Sequence, residues 1–224
     1  MHGSISATLP AGPPTYDVIV VGARVAGSAT AMLLARAGLR VLVLDAARRG
    51  SDMVSTHAFM RGGVVQLHRW GLLDRVVASG TPAVRRTVFH YGDQQVPVGL
   101  KPVGGTDGLY APKRTVLDPL LAAAAEESGA EMRFGVRVDA LTRDGTGRVT
   151  GVRGRDRAGR PVEARARVVV GADGVRSLVA RAVDAPVLAR GSGAGAGMLA
   201  YVEGVHADGF QWLYGTDGEG RRAG

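Results

Sequence analysis

Three runs of the chain, Asp17–Val21 (DVIVV), Arg40–Asp45 (RVLVLD) and Ala166–Val170 (ARVVV), are apolar at consecutive rather than alternate positions. Runs of this kind predict strands buried on both faces, as in a parallel sheet covered by helices. Between the first two, Ala26–Ala37 (AGSATAMLLARA) carries alanines and leucines at helical spacing, and Gly38 is a suitable stop. Strand, tight loop, helix and strand within about thirty residues is the crossover unit of a doubly wound sheet.

The pattern then changes character. Val64–Ala78 predicts a helix broken or bent near Gly71, and Val84–His90 with Gln95–Val98 alternate across the turn YGDQ as two strands of another sheet. Gly99–Gly108 reads as loop. Thr115–Gly129 predicts a second helix, with Thr115 as its cap and Leu117, Leu120 and Leu121 as its apolar stripe. Glu131–Val138 (EMRFGVRV) predicts a strand. Turn signals at Asp144–Gly147 and Asp156–Pro161 then split the chain into a β-meander that runs into the buried strand at 166–170. A short helix over Val175–Ala182, a hinge at Gly191–Gly197, and strands at Met198–Val205 and Phe210–Tyr214 complete the reading.

Buried parallel strands near residues 17, 40, 131 and 166 are interleaved with amphipathic strands near 84, 95 and 198. The expected fold class is therefore α/β: a Rossmann-like nucleotide-binding domain with a β-meander crossover, interleaved with part of a second, mixed-sheet substrate domain. The segments divide as a flexible N-terminus at 1–15, the first part of the nucleotide-binding domain at 16–83, a substrate-domain segment at 84–112, the second part of the nucleotide-binding domain at 113–185, and the start of a truncated substrate-domain sheet at 186–224.

Composition removes several alternatives. With 224 residues, 46% of them hydrophobic, the chain can bury a substantial core. The formal charge of +8 invites an anionic partner, but arginines are scattered and no basic tract is interleaved with aromatics, so no nucleic-acid surface is expected. The absence of cysteine excludes disulfides, thiol redox chemistry, iron–sulfur clusters and Cys-type zinc sites. No apolar run approaches the roughly 20 residues of a membrane span, and the N-terminus has no apolar signal-peptide core, so a cytoplasmic location is expected.

Candidate chemistry concentrates in the first loop, Val20–Thr30 (VVGARVAGSAT). Gly22 permits the tight turn after the strand and Gly27 allows close helix–sheet packing. The N–H groups at the start of the helix, over Ala23, Arg24, Val25 and Ala26, present a partial positive charge to a pyrophosphate. Arg24 stands where such loops carry their middle glycine. Its side chain must point away from the ligand or fold over the phosphates as an added cation, and the negative ligand favours the second arrangement. Asp45, followed by Ala46, ends the second strand where a carboxylate accepts hydrogen bonds from ribose hydroxyls.

These residues bring a family into view. DVIVVGARVAGSATAMLLARAGLRVLVLD resembles the N-terminus of the FAD-dependent monooxygenase-like oxidoreductases, the superfamily of the aromatic hydroxylases and geranylgeranyl reductases. Three further segments match in order: STHAFMRGGVVQLHRWGLLDRV with Arg61, KRTVLDPLLAAAAEESGAEMRFGVRV with Arg114, and VVVGADGVRSLVARAV with Asp173, Gly174, Arg176 and Ser177. The resemblance implies FAD as cofactor and NAD(P)H as transient electron donor. It also implies that Arg61 and Arg114 lie near pyrophosphate or ribityl, that Val136 and Val138 give backbone groups around the adenine, and that Asp173–Gly174 touch cofactor or nicotinamide. Both arginines also read as solvated helix-leading residues, the two valines as plain core positions, and Asp173 as a local helix cap. Ser55, Thr56 and His57 could approach the flavin, though a loop histidine is usually solvated.

No nucleophile elbow, phosphate loop of the Walker type, paired carboxylates or metal-type histidine spacing is present, so no catalytic residue and no metal site are assigned. The resemblance implies a flavin monooxygenase that hydroxylates a small organic substrate, or a geranylgeranyl reductase-like enzyme that passes hydride to an alkene. It covers only the first half of the family pattern, because the later Gly-Asp motif has no counterpart after Gly174. The expectation is therefore a chain lacking half the flavin cradle, with unpaired sheet edges. It would be a non-catalytic nucleotide-binding remnant, or a piece completed by a complementing C-terminal fragment.

Overall fold

A computed structural model describes residues 16–53, 58–191, 198, 200–204 and 209–215. The chain forms two units, residues 1–49 with 121–190 and residues 50–120 with 191–224.

In the first unit, β1 (Tyr16–Val21), β2 (Val41–Asp45), β5 (Glu131–Phe134) and β8 (Pro161–Gly171) pair in parallel, and β6 (Val136–Arg143) and β7 (Val149–Asp156) join antiparallel. The resulting order is β5-β2-β1-β8-β7-β6. Helix α1 (Val25–Arg36) follows β1, and α5 (Leu178–Ala182) follows β8. Ile19, Leu42 and Leu44 of the parallel strands, Val136, Val138, Val152, Ala164 and Ala166 of the meander, and Val179 of α5 share one core cluster. Within the runs at 17–21 and 40–45, Val18–Val21 and Val41–Leu44 are buried because residues of both parities meet apolar neighbours.

The second unit holds α2 (Arg61–Arg69), α3 (Leu73–Ala78) and a sheet of order β4-β3-β9, built from β3 (Arg86–Tyr91), β4 (Gln94–Gly99) and β9 (Phe210–Tyr214). β4 runs antiparallel and β9 parallel to β3. Of the break or bend expected near Gly71, the break is realised: Gly71 takes φ +73 between α2 and α3. Helix α4 (Arg114–Glu127) crosses from the second unit into the first.

Several elements differ from the sequence reading. Glu131–Val138 is two strands: Gly135, at φ +76, turns the chain so that β5 joins the parallel sheet while β6 starts the meander. The run at 166–170 is the end of β8, whose first half pairs with β7 and second half with β1. Its burial is one-sided, with Ala166 buried and Val168 52% exposed. Thr115 is the second residue of α4, too far inside to cap it; the carbonyl of Lys113 accepts the N–H groups of Val116 and Leu117. The last helix starts at Leu178 rather than Val175, with Ser177 accepting from the N–H of Ala180. Met198 and residues 200–204 are not strand, and residues 192–197, 199 and 205–208 lie outside the described residues.

At the N-terminal end of the parallel sheet, Tyr16 donates its hydroxyl to Glu131 Oε2 at 2.5 Å, reaching past β2. This bond, with Arg133 beside it, holds the Glu131 carboxyl below the usual carboxylate range, and burial together with Glu131 pushes the Tyr16 phenol up. No helix among the described residues is long and apolar enough to cross a membrane.

Candidate functional site

In the first unit, β1, β2 and β8 end side by side, and the turns that follow them lock together. Gly22, at φ +102, donates its N–H to Leu44 O at 2.8 Å, and Ala172 donates to Val21 O at 2.8 Å. A β-carbon on Gly22 would lie 2.3 Å from the Ala172 carbonyl oxygen, so both conformation and space demand glycine. Gly27 is as constrained: its β-carbon would fall 1.8 Å from Gly22 O, which is how closely α1 packs on the loop. The buried Ser28 hydroxyl donates to Ala23 O at 2.7 Å and pins the turn from the helix side.

Arg24 caps α1 with φ −78 and ψ −169, and its carbonyl accepts the Ser28 N–H at 2.9 Å. Those angles suit any L-residue, so the loop's shape is set by Gly22 and Gly27 and does not require glycine at position 24. The N–H groups of Val25, Ala26 and Gly27 have no acceptor within the helix and sit at its positive end, which is the arrangement a phosphate group needs.

Asp45 braces this loop. Its Oδ2 accepts the Ala23 N–H at 2.6 Å and its Oδ1 accepts the Ala47 N–H at 2.7 Å. An ionised carboxylate has about four acceptor positions, so both oxygens retain capacity for hydroxyl donors such as those of a ribose. Ala46 is exposed between the two bonded residues. The Ala47 carbonyl accepts the Gly135 N–H at 3.0 Å, which places the β5–β6 joint next to the Asp45 turn. The side chains of Val136 and Val138 are committed to the core, leaving only backbone groups for any ligand.

Asp173 is bound into its own turn. Oδ1 accepts the Ser177 hydroxyl at 2.5 Å and Oδ2 accepts the Leu178 N–H at 2.6 Å, spanning the exposed Gly174–Arg176 tip. Gly174 takes φ +84, and a β-carbon there would meet open space. Of the two readings of Asp173, the helix-capping one is thus realised in its hydrogen bonds.

The remaining residues belong to the second unit. Arg61 donates from Nη1 to Lys101 O at 2.6 Å. Arg114 forms a two-pronged pair with Asp118, at 2.8 and 3.0 Å, in which both side chains are largely buried. Ser55, Thr56 and His57 lie outside the described residues. Ser28, Ala47 and Ala172 escaped the sequence reading, although small residues flanking a glycine loop are a usable signal for close backbone packing.

The family model of the FAD binding domain matches residues 15–208. The chain is 35% identical over 184 residues to the probable electron transfer flavoprotein-quinone oxidoreductase YdiS of Escherichia coli, covering 75% of this chain and 38% of that protein. It is 34% identical over 165 residues to the menaquinone reductase of Mycolicibacterium smegmatis, covering 74% and 39%. Among solved structures, PqsL of Pseudomonas aeruginosa in complex with 2-aminobenzoylacetate superposes with a TM-score of 0.65 at 28% identity, covering 79% of this chain and 48% of that one. The chain therefore spans less than half the length of each of these relatives.

Proposed function

The chain belongs to the FAD binding domain family, and from that premise we propose that it is the nucleotide-binding portion of an NAD(P)H-dependent flavin monooxygenase, acting in the cytoplasm to hydroxylate a small organic substrate. The observation that carries the reading is the glycine loop braced by Asp45, a shaped cradle with a positive helix end on one side and a carboxylate on the other. FAD, when bound, supplies the redox chemistry, and the protein binds and orients it.

In this reading the backbone from Gly22 to Gly27 takes the pyrophosphate, Arg24 adds a cation over it, and the free acceptor positions of Asp45 take ribose hydroxyls. Val138 lends backbone groups near the adenine. Arg61 and Arg114 serve the pyrophosphate or ribityl chain, and the Asp173–Gly174 turn lies along the cofactor while Asp173 keeps its capping role. The site's other half comes from polypeptide corresponding to the rest of the relatives' length, in the same chain or as a complementing fragment.

A second reading has a specific observation behind it: two relatives at 34–35% identity are named for quinones rather than hydroxylation. There the flavin would pass electrons to a quinone. A geranylgeranyl reductase-like hydride transfer to an alkene is a third variant. Anaerobic mixing of the FAD-loaded protein with NADH or NADPH separates the first two readings: bleaching of the flavin band by either nicotinamide supports the monooxygenase reading. A flavin that dithionite reduces but neither nicotinamide does contradicts it and leaves the quinone reading in place.

A further inference from the structure

The turn that follows β2 is fastened at its far end by one arginine. Arg49 Nη1 and Nη2 donate to Glu126 Oε1 and Oε2 at 2.9 and 2.5 Å, a two-pronged pair with a carboxylate on the last turn of α4. The same guanidinium lies over the Phe134 ring, 5.6 Å from its centroid. Ala124 and Ala125 of α4 are buried, so Glu126 stands on a fixed base. Phe134 ends β5 and pairs with Asp45 across the sheet, one strand spacing or about 4.8 Å away at the backbone.

An exposed ion pair usually adds little, because water competes with it and two long side chains must be held still. Both partners here are more than a third exposed, so charge alone does not account for the arrangement. The fork-to-fork geometry and the ring beneath the guanidinium do, since together they fix where the arginine sits. What they fix is the chain between Asp45 and Arg49. Asp45 accepts the Ala47 N–H, and the Ala47 carbonyl accepts the Gly135 N–H at the β5–β6 joint. Arg49 closes the circuit by tying the end of the turn to Phe134, the strand neighbour of Asp45.

We propose that Arg49 is a positioning residue for nucleotide binding: gripped by Glu126 and Phe134, it holds the turn against β5 and keeps the free acceptor positions of Asp45 presented to ribose hydroxyls. The inference rests on the reading of the Gly22–Gly27 loop as a nucleotide cradle. Arg49 acts through Asp45 rather than by a contact of its own, since both arms of its fork are taken by Glu126.

Titrating the full chain with ADP and with 2′,3′-dideoxy-ADP, which lacks both ribose hydroxyls, separates positioning from a merely structural role. The ratio of the two dissociation constants reads only what the hydroxyls contribute and does not change with the fraction of protein that is folded. Wild type should prefer ADP by roughly tenfold or more. Arg49→Ala and Glu126→Gln should cut that preference to about threefold or less, with affinity for the dideoxy probe within about twofold of wild type. Arg49→Lys keeps the charge without the fork and should resemble Arg49→Ala; a wild-type ratio in Arg49→Lys overturns the proposal. So does an unchanged ratio in Glu126→Gln, which preserves the side chain's shape and carries the test where Arg49→Ala fails to fold. Equal binding of the two probes by wild type overturns it as well, because Asp45 then holds no hydroxyl. ADP preference in wild type with unchanged ratios in the variants sinks this inference alone, whereas a folded chain that binds neither probe sinks the nucleotide reading with it.

Discussion

The Ala23 N–H donates to Asp45 Oδ2 at 2.6 Å, so the carboxylate that ends β2 also fixes the residue after the first loop glycine. Asp45→Ala should therefore do two things. It leaves the Ala23 and Ala47 N–H groups without their charged acceptor, costing about 2 kcal/mol of stability. It also weakens FAD binding at least tenfold, measured by flavin fluorescence titration. Asp45→Asn, which keeps one acceptor, should fall between the two. Unchanged stability in Asp45→Ala would remove the bracing role.

Two glycines make a matched pair. In Gly27→Ala the new β-carbon meets Gly22 O at 1.8 Å, a backbone atom with nowhere to go, so the loop must shift and FAD binding should be lost. In Gly62→Ala, on α2, the β-carbon meets open space, and the helix should gain about 0.5 kcal/mol from alanine's better propensity. Thermal melts with and without FAD read both effects.

Arg24→Gly is expected to fold normally, because position 24 has ordinary extended angles and glycine is well tolerated at a helix N-cap. Losing one half-buried cation near a phosphate is worth about 0.5–1 kcal/mol, roughly a two- to fivefold weaker FAD affinity. Failure to fold would show that the arginine holds the loop itself.

The Tyr16–Glu131 bond makes an acid-side prediction. Glu131 has its folded pKa depressed by the Tyr16 hydroxyl and Arg133, so its stabilising contribution is complete above its ordinary value of 4.5 and is lost as pH falls through the lower folded value. Tyr16→Phe should melt lower than wild type at pH 6, with the gap closing below pH 4.5. A gap constant across that window would mean the hydroxyl acts by packing alone.

The β1–α1–β2 unit was legible in sequence because its period changes abruptly, from consecutive apolar residues to helical spacing and back, and because Gly22 and Asp45 punctuate it. EMRFGVRV read as one strand because Phe134, Val136 and Val138 favour strand and alternate with charged residues; the glycine was the available sign of a break. Ser177 before LVARA was a readable cap, but the preceding Val175 and Arg176 read as helix, and the Asp173 bond across them is what excludes it. The Asp45 brace was beyond reach, since it depends on two strand ends meeting in space. The Arg49 grip on Glu126 likewise needed the fold, which brings together residues 77 positions apart.

The central claim is that the loop from Gly22 to Gly27, braced by Asp45, holds the nucleotide half of FAD. Titrating the purified chain with FAD and competing with ADP tests it most directly. Saturable FAD binding, displaced by ADP and weakened at least tenfold in Asp45→Ala, is the predicted result. A folded chain that takes up neither FAD nor ADP contradicts it.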